Sequence, residues 1–517
     1  MTDRYELKFF PCWRILSILL LMLIALPDRS ASQFILVPEN MSMGGGGTAY
    51  LTGFETLSVN PANLFIREKN YRIQTSILQG GIYYDSPLPQ KDNIQRLRDL
   101  YDRIQPYNRS DGLFDLNTAD RQILLDRNYP RNSNKRQFLS SGDIYWFGIK
   151  WIGSERSYAV ALRTRKANRY TLGRALFSNA LPENQEEPEL DKSFKHSVHT
   201  LHEISFGYAE PFRFLSGLMP QLSRFIIGIA PKVVFPGSVI EAEQKHMVRY
   251  SQQEALWIRE LQYRQFTTGA FTELAEANVR NAGARPPLPA VSLREMVRPA
   301  GIGAGLDMGV TYLLTFGEDL SVLRGVTDLT QQSLRISLSV TDLGAVFHTE
   351  DAIGFESRIL ESRVEQPAPV SNSLYTGNPN QHYAFLSQFD EFGIIAERAK
   401  RSDQKRFPLP TALNAGALFQ YKRFKLAGDL SLALTDSPFT HEGLSSYFGA
   451  EVRLLPFLPL RAGTRFAKEM TGFYSFGTGI ETTGIDIDLA LQLKSKNAGP
   501  TTEILAAALL GVKVYIP

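Results

Sequence analysis

The chain has 517 residues, a net charge of +3, 43% apolar and 21% charged residues, and a single cysteine. The near-neutral balance argues against nucleic acid as a partner, and one cysteine rules out disulfide frameworks and cysteine-built metal sites. Such averages suit a soluble protein, but a membrane barrel shares them, because its lipid-facing and lumen-facing residues alternate.

Arg4 and Lys8 precede an apolar run from Ile15 to Leu26, broken only by Ser17. Pro27 and Asp28 end it, and Ser30, Ala31 and Ser32 follow. A basic start, a short apolar core and small residues are the order of a secretory signal peptide. The run falls well short of the roughly 20 residues a spanning helix needs. Residues 1–32 are therefore expected to be a signal peptide, cleaved after Ser32 or, as the alternative, Ala31. Cys12 precedes the apolar core, so the exported chain would carry no thiol.

Residues 33–69 show no alternation. The stretch Met43-Gly44-Gly45-Gly46-Gly47-Thr48-Ala49 is small and flexible, and Asn60-Pro61-Ala62-Asn63-Leu64 follows it.

From residue 70 to 517 the organising signal is period two. In 301–312, Ile302, Ala304, Leu306, Met308, Val310 and Tyr312 share one face, opposite Gly301, Gly303, Gly305, Asp307, Gly309 and Thr311. In 485–494 the isoleucines and leucines alternate with Asp486, Asp488, Ala490, Gln492 and Lys494. Successive strand residues point to opposite sides. Several runs reach the roughly 9–11 residues of a tilted membrane strand. Strands are expected near 70–84, 143–151, 157–166, 198–209, 223–235, 301–314, 333–341, 412–420, 424–435, 446–454, 459–467, 472–481, 485–494 and 504–516.

That gives an even count of about fourteen, as a closed bacterial barrel requires. Four of the odd-numbered connections are very long, 85–142, 167–197, 236–300 and 342–411, while 210–222 and 315–332 on the other side are longer than typical turns and fit less well. Turns such as 153–156, 421–423, 455–458 and 482–484 are short. Sorting loops by parity is the asymmetry of a membrane barrel, with long loops outside. The fold expected is all-β: a closed antiparallel transmembrane barrel with long outer loops. Two stretches of the long loops show helical spacing: Ile94, Leu97, Tyr101 and Ile104, then Ala255, Trp257, Ile258, Leu261 and Phe266.

The glycine cluster followed by Asn60-Pro61-Ala62 resembles the N-terminal hatch of FadL-type fatty-acid transporters and of PorV-type secretion barrels. Gly305-Leu306-Asp307-Met308-Gly309, Asp342-Leu343-Gly344 and Leu409-Pro410-Thr411-Ala412-Leu413-Asn414 extend the resemblance. It implies a bacterial outer-membrane barrel plugged by residues 33–69, with Gly44 to Gly47, Asn60, Pro61 and Ala62 as the hatch motif. The inward glycines Gly301, Gly303, Gly305 and Gly309 would let hatch backbone approach the wall. The apolar loop residues Ile94, Leu97, Tyr101, Ile104, Trp257, Ile258, Leu261 and Phe266 would capture ligand first. The function implied is passage of a fatty-acid-like hydrophobic molecule. The alternative is a PorV-like scaffold binding exported proteins. Outer-membrane lipid and the barrel-assembly machinery are the expected partners in either case.

Other signals are weaker. Gly301, Gly303 and Gly305 have the period of a strand, not the strand-to-helix spacing of a dinucleotide loop. The tetraglycine lacks the Lys-Ser/Thr of a phosphate loop. His196, His199 and His202 split between two strand faces, a poor metal set. Asp486 and Asp488 share a face about 7 Å apart, and lumenal charge, rather than a catalytic carboxylate pair, is the expected reading. No nucleophile–base pair is local, so neither an enzyme nor a cofactor is expected.

Overall fold

The computed structural model describes residues 31–33, 35–84, 135–176, 189–212, 223–251, 253–254, 256–269, 272, 298–316, 332–348, 352–356, 359–364, 405–442, 444–467, 470–494 and 503–517. The expected signal sequence up to residue 30 and the stretch carrying Ile94, Leu97, Tyr101 and Ile104 lie outside the described residues.

The described chain opens with β1 (Ala31–Gln33), α1 (Pro38–Ser42) and two 3₁₀ turns, Phe54–Ser58 and Pro61–Phe65. Then come β2 (Ile73–Tyr84), β3 (Lys135–Ile152), β4 (Ser157–Gly173), β5 (Glu189–Asp191), β6 (Phe194–Pro211) and β7 (Ser223–Pro236). The hairpin of β8 (Ile240–Ser251) and β9 (Leu256–Thr268) precedes β10 (Gly301–Thr315) and β11 (Gln332–His348). Three short strands follow, β12 (Ala352–Glu356), β13 (Leu360–Val364) and β14 (Lys405–Pro408). The rest are β15 (Ala412–Tyr421), β16 (Phe424–Ala433), β17 (Thr440–Glu442), β18 (Ser445–Leu455), β19 (Leu458–Ala467), β20 (Met470–Glu481), β21 (Ile485–Lys494) and β22 (Glu503–Ile516).

Strands β2, β3, β4, β6, β7, β10, β11, β15, β16, β18, β19, β20, β21 and β22 pair antiparallel, each with the next. β22 closes on β2, with Ile73 opposite Ile516 and Ser76 opposite Lys513. The result is a closed antiparallel barrel of 14 strands, each at a position the alternation predicts.

The faces are inverted relative to a water-soluble protein, which buries its apolar side. On β21, Ile487 is 43% exposed and Asp488 3%. On β18, Phe448 is 53% exposed and Glu451 1%. Outward apolar and inward charged side chains are what lipid outside and a polar lumen inside require. Aromatic residues gather at the end with short turns. Trp151, Tyr158 and Tyr208 form a contiguous row, with centroids 6.5 and 5.5 Å apart, and Tyr421, Phe424 and Phe457 flank other turns. Such a girdle marks a membrane–water boundary. Among the described residues no helix is long and apolar enough to cross a membrane.

Several strands outrun their expected ends. β3 begins at Lys135 rather than 143, β4 continues to Gly173 rather than 166, and β11 reaches His348 rather than 341. Apolar alternation reports only the stretch that meets lipid; beyond it, backbone pairing alone continues the strand. The expected loop 236–300 contains the hairpin β8–β9, and its helical reading is wrong. Trp257, Ile258, Leu261 and Phe266 lie on β9, which pairs with β8 from Ile240 against Thr267 to Ser251 against Leu256. Arg259 and Gln265 occupy the face of Trp257 and Leu261, so polar residues broke the alternation and left only the fourfold spacing visible.

Candidate functional site

Residues 35–66 run down the lumen. At the outer end β1 pairs with β17, and Ala31 lies opposite Ala433. At the short-turn end Arg67 Nη2 donates to Ile152 O (3.3 Å) and Arg72 N to Ile516 O (2.9 Å). Every residue from Ile35 to Ile66 is buried except Glu39 and Gly46, which are partly so.

Local chemistry shapes this segment. Gly44, Gly45 and Gly47 have φ of 94°, 104° and 90°, a region that disfavours a Cβ. Asn40 Nδ2 donates to Ile35 O (3.2 Å) and Gly45 O (3.0 Å), folding the glycine turn back on α1. Asn60 caps the second 3₁₀ turn: its Oδ1 accepts from Ala62 N at 3.2 Å, the role Asn fills before a Pro-started turn. Its Nδ2 donates to Thr48 O (3.1 Å) and to Thr311 Oγ1 on the wall (2.9 Å). Asn63 Nδ2 donates to Thr48 O (2.9 Å) and Leu51 O (3.0 Å). The expected motif residues thus tie the segment to itself and to β10.

A belt of single glycines surrounds the segment. A Cβ on Gly309 would lie 1.9 Å from Asn60 Oδ1, and one on Gly228 2.2 Å from Ala62 N. One on Gly148 would meet the Phe54 ring at 2.2 Å, and one on Gly207 would meet Leu57 at 2.1 Å. Across the lumen, Gly449, Gly463 and Gly477 face Met43 O, Gly44 N and Ser42 Cβ at 2.6, 2.4 and 2.3 Å. Of the four glycines expected here only Gly309 touches the segment. A Cβ on Gly301 or Gly303 would strike the neighbouring strand at Phe347 O or Ala345 O, and one on Gly305 would strike Leu409 and Lys232. Those three stand nearer the outer end, above the 3₁₀ turns. The other contacting glycines named here sit on six further strands, where alternation places them inward, and on β6, β7, β18 and β19 each is the strand's lone glycine; that isolation was the available signal.

Two charge clusters lie inside the barrel. The one towards the short turns joins wall to segment. Arg461 donates to Glu451 (2.7 Å), Asp488 (2.6 Å) and Glu481. Tyr50 Oη donates to Glu451 at 2.7 Å. Lys513 holds Glu39 and, at 2.9 Å, Glu55. Glu68 accepts from Lys425 (2.6 Å) and Arg335 (3.0 Å), and Lys69 donates to Asp486. Burial would raise the Glu68 carboxyl, but Lys425 and Arg335 outweigh it and hold it down at about 2.

The outer cluster joins wall to wall. Arg163 forks onto Asp143 (2.7 and 2.7 Å), and Arg165 onto Asp342 (2.8 and 2.8 Å). Lys232 bridges Asp307 (2.7 Å) and Asp342. Asp342 occupies a bulge with φ of 56°, where the β10–β11 register shifts between Leu306 and Met308. A bulge re-aims a side chain, and here it turns Asp342 inward. Thr411 Oγ1 donates to Asp342 O (2.7 Å) and Leu409 N to Gly344 O (3.0 Å). The three outlying motifs, 305–309, 342–344 and 409–414, therefore meet at one point of the wall. The segment reaches this cluster through Leu36 N, which donates to Asp143 at 3.3 Å.

Above the glycine belt an apolar cluster lines the lumen: Leu36 and Met41 from the segment with Leu201, Val234, Phe407 and Phe473 from the strands. Phe266, one of the expected capture residues, belongs to it. Trp257 and Leu261 share the buried face of β9, and Ile258 lies on the other.

His196 pairs with Asn168 (2.9 Å), His199 with Glu241 (3.1 Å) and His202 with Thr164 (2.9 Å). Among the described residues no group of His, Cys, Asp and Glu could hold a metal. Asp486 accepts from Tyr515 (2.6 Å) as well as Lys69, and Asp488 from Arg461, so both belong to the lower cluster.

Residues 96–482 match a family described as a family of unknown function, DUF5723. No curated protein matches. Among solved structures, the chain is similar to the toluene transporter TodX of P. putida, at 10% identity and a TM-score of 0.41, over 93% of this chain and 98% of that one. It is similar to the monoaromatic hydrocarbon channel CymD at 11% identity and 0.40, over 93% and 97%. For a FadL homologue of Pseudomonas aeruginosa the values are 8% and 0.39, over 94% and 98%.

Proposed function

The chain belongs to the DUF5723 family of unknown function, and we propose that it passes a hydrophobic small molecule across the bacterial outer membrane. The observation that carries this reading is the apolar cluster in the outer half of the lumen, closed below by residues 35–66. Pockets for apolar ligands are concave, mostly apolar and lined by aromatic residues. A channel for ions or sugars would leave a polar, water-filled path instead. Residues 33–69 act as the hatch: they block free diffusion, and a shift near Asn60-Pro61-Ala62 releases cargo towards the periplasm. Residues 1–32 direct export, and the barrel-assembly machinery inserts the chain. No catalytic step or cofactor enters this reading.

Native mass spectrometry of the protein purified from its own outer membrane tests it. An apolar molecule of discrete mass is expected, lost in Val234→Asp while the barrel stays folded. A stoichiometric exported protein in place of that molecule would overturn transport and point to a secretion scaffold.

A further inference from the structure

The short turns differ in chemistry. The turn between β3 and β4 exposes Ser154, Glu155 and Arg156, and that between β15 and β16 exposes Lys422 and Arg423. The turn between β20 and β21 is Thr482-Thr483-Gly484. The tip of the β18–β19 hairpin reads Leu454-Leu455-Pro456-Phe457-Leu458-Pro459-Leu460, without one polar side chain.

This tip overhangs its neighbour. Phe424, the first residue of β16, lies opposite Val452, so Arg453, Leu454 and Leu455 continue past the end of β16. The β18–β19 register slips between Arg453 and Leu455, an irregularity of the kind that re-aims side chains. Leu454 and Leu455 are exposed in succession, at 57% and 47%, and Phe457 is 47% exposed. The exposed Val452 and Leu460 carry this apolar surface into the lipid-facing belt of the barrel.

The backbone of the tip suits a place without water. Pro456 and Pro459 have no N–H to satisfy. Leu455 pairs with Leu458 across the turn. Arg423 Nη1 donates to Leu454 O (3.4 Å) and Arg453 Nη1 to Pro456 O (3.4 Å). Glu481 N donates to Phe457 O (2.8 Å) and Thr478 Oγ1 to Pro459 O (2.9 Å). The Arg453 guanidinium is itself balanced by Glu451 (3.0 Å) and Glu481 (2.6 Å). In lipid, backbone polar groups must find partners within the protein, because water is not there to supply them. A turn in water has no such need, and leucine and phenylalanine exposed there would cost free energy.

We propose that the tip of the β18–β19 hairpin is immersed in the periplasmic leaflet of the outer membrane, with lipid acyl chains around Leu454, Leu455 and Phe457. On the far side of the ring of strands, the charged turn 153–156 stays in water, next to the row of Trp151, Tyr158 and Tyr208. The lipid boundary then passes beneath one turn and above the other, so the barrel stands tilted in the membrane. This placement does not depend on what the barrel carries.

Single cysteines test it in the full-length protein, with Cys12→Ser removing the one native thiol. Phe457→Cys and Ser154→Cys are labelled with bimane, and the folded protein is placed in phosphatidylcholine nanodiscs, which leave both faces open to solvent. Quenching by brominated phosphatidylcholine is compared with quenching by iodide. The ratio of lipid to iodide quenching is expected to be roughly fivefold or more higher for the Phe457→Cys label than for the Ser154→Cys label. Should Phe457→Cys not fold, Leu455→Cys replaces it with the same expectation. A smaller difference overturns the proposal, whether iodide reaches the tip freely or protein shields the label from both quenchers.

Discussion

The two charge clusters inside the barrel do different work. The lower one, around Arg461 and Lys513, is shared between wall and hatch: Glu39, Tyr50, Glu55, Glu68 and Lys69 all reach into it. The outer one, around Arg165 and Lys232, ties strand to strand, and among the described residues it meets segment 35–66 through the backbone N–H of Leu36. Between them the glycine belt lets the hatch backbone lie against the wall. Residues 35–66 are thus anchored by charge near the short turns and fitted by shape at mid-height. Buried ion pairs are weak evidence for stability but costly to break, so the division of labour can be tested by breaking each cluster separately.

The largest effect is expected from the belt. Gly228→Leu would drive a side chain into Pro61 and Ala62. We expect loss of the heat-modifiable folded form on gels, whereas Gly142→Ala, with nothing within 4 Å of its Cβ position, should fold normally. Equal folding of both would remove the belt from the account.

Next come the clusters. Arg461→Met leaves Glu451, Glu481 and Asp488 short of a partner and should cost about 3–5 kcal/mol. Arg165→Met should cost a similar amount, since it removes the fork on Asp342, which keeps Lys232, and the closer of the two arginines on Glu203. The two should part in their consequences: Arg461→Met opens the lumen to ions in planar bilayers, and Arg165→Met does not. Conductance rising in both, or only in Arg165→Met, would contradict the separation of roles.

A smaller change is expected from Asn60→Ala, which removes the cap and leaves Thr311 and Thr48 with fewer partners. About 1–3 kcal/mol is the usual cost of such a loss, read as a lower denaturant midpoint. The smallest effect concerns pH. Glu68 is held at about 2 against an ordinary value of 4.5, so its bonds to Lys425 and Arg335 contribute fully above pH 4.5. The contribution fades as pH falls towards 2. Stability measured across that window should fall less steeply in Glu68→Gln, and parallel curves would show that Glu68 contributes nothing.

Much of this architecture is written in the sequence, for reasons that differ by region. Strands such as 485–494 are legible because lipid demands an apolar residue at every second position. In the buried lumenal segment, Gly44, Gly45 and Gly47 and the Asn60 cap stand out in sequence because positive φ and capping select few residue types. The outer sheet is not: β9 sets Arg259 and Gln265 on the face of Trp257 and Leu261, so its period is hidden. The contacting glycines were misplaced for a related reason. The run 301–305 draws the eye by its regularity, while Gly207 and Gly228 stand alone and gain meaning only when the hatch backbone is seen against them. The bulge at Asp342 is likewise invisible until β10 and β11 are in register, although the motifs it joins stand out in sequence.

The claim at the centre is that residues 33–69 seal the lumen. Planar-bilayer conductance of the folded, full-length protein tests it most directly. The account predicts a barrel closed to ions under modest voltage. A steady, porin-like conductance from the unaltered protein would contradict it.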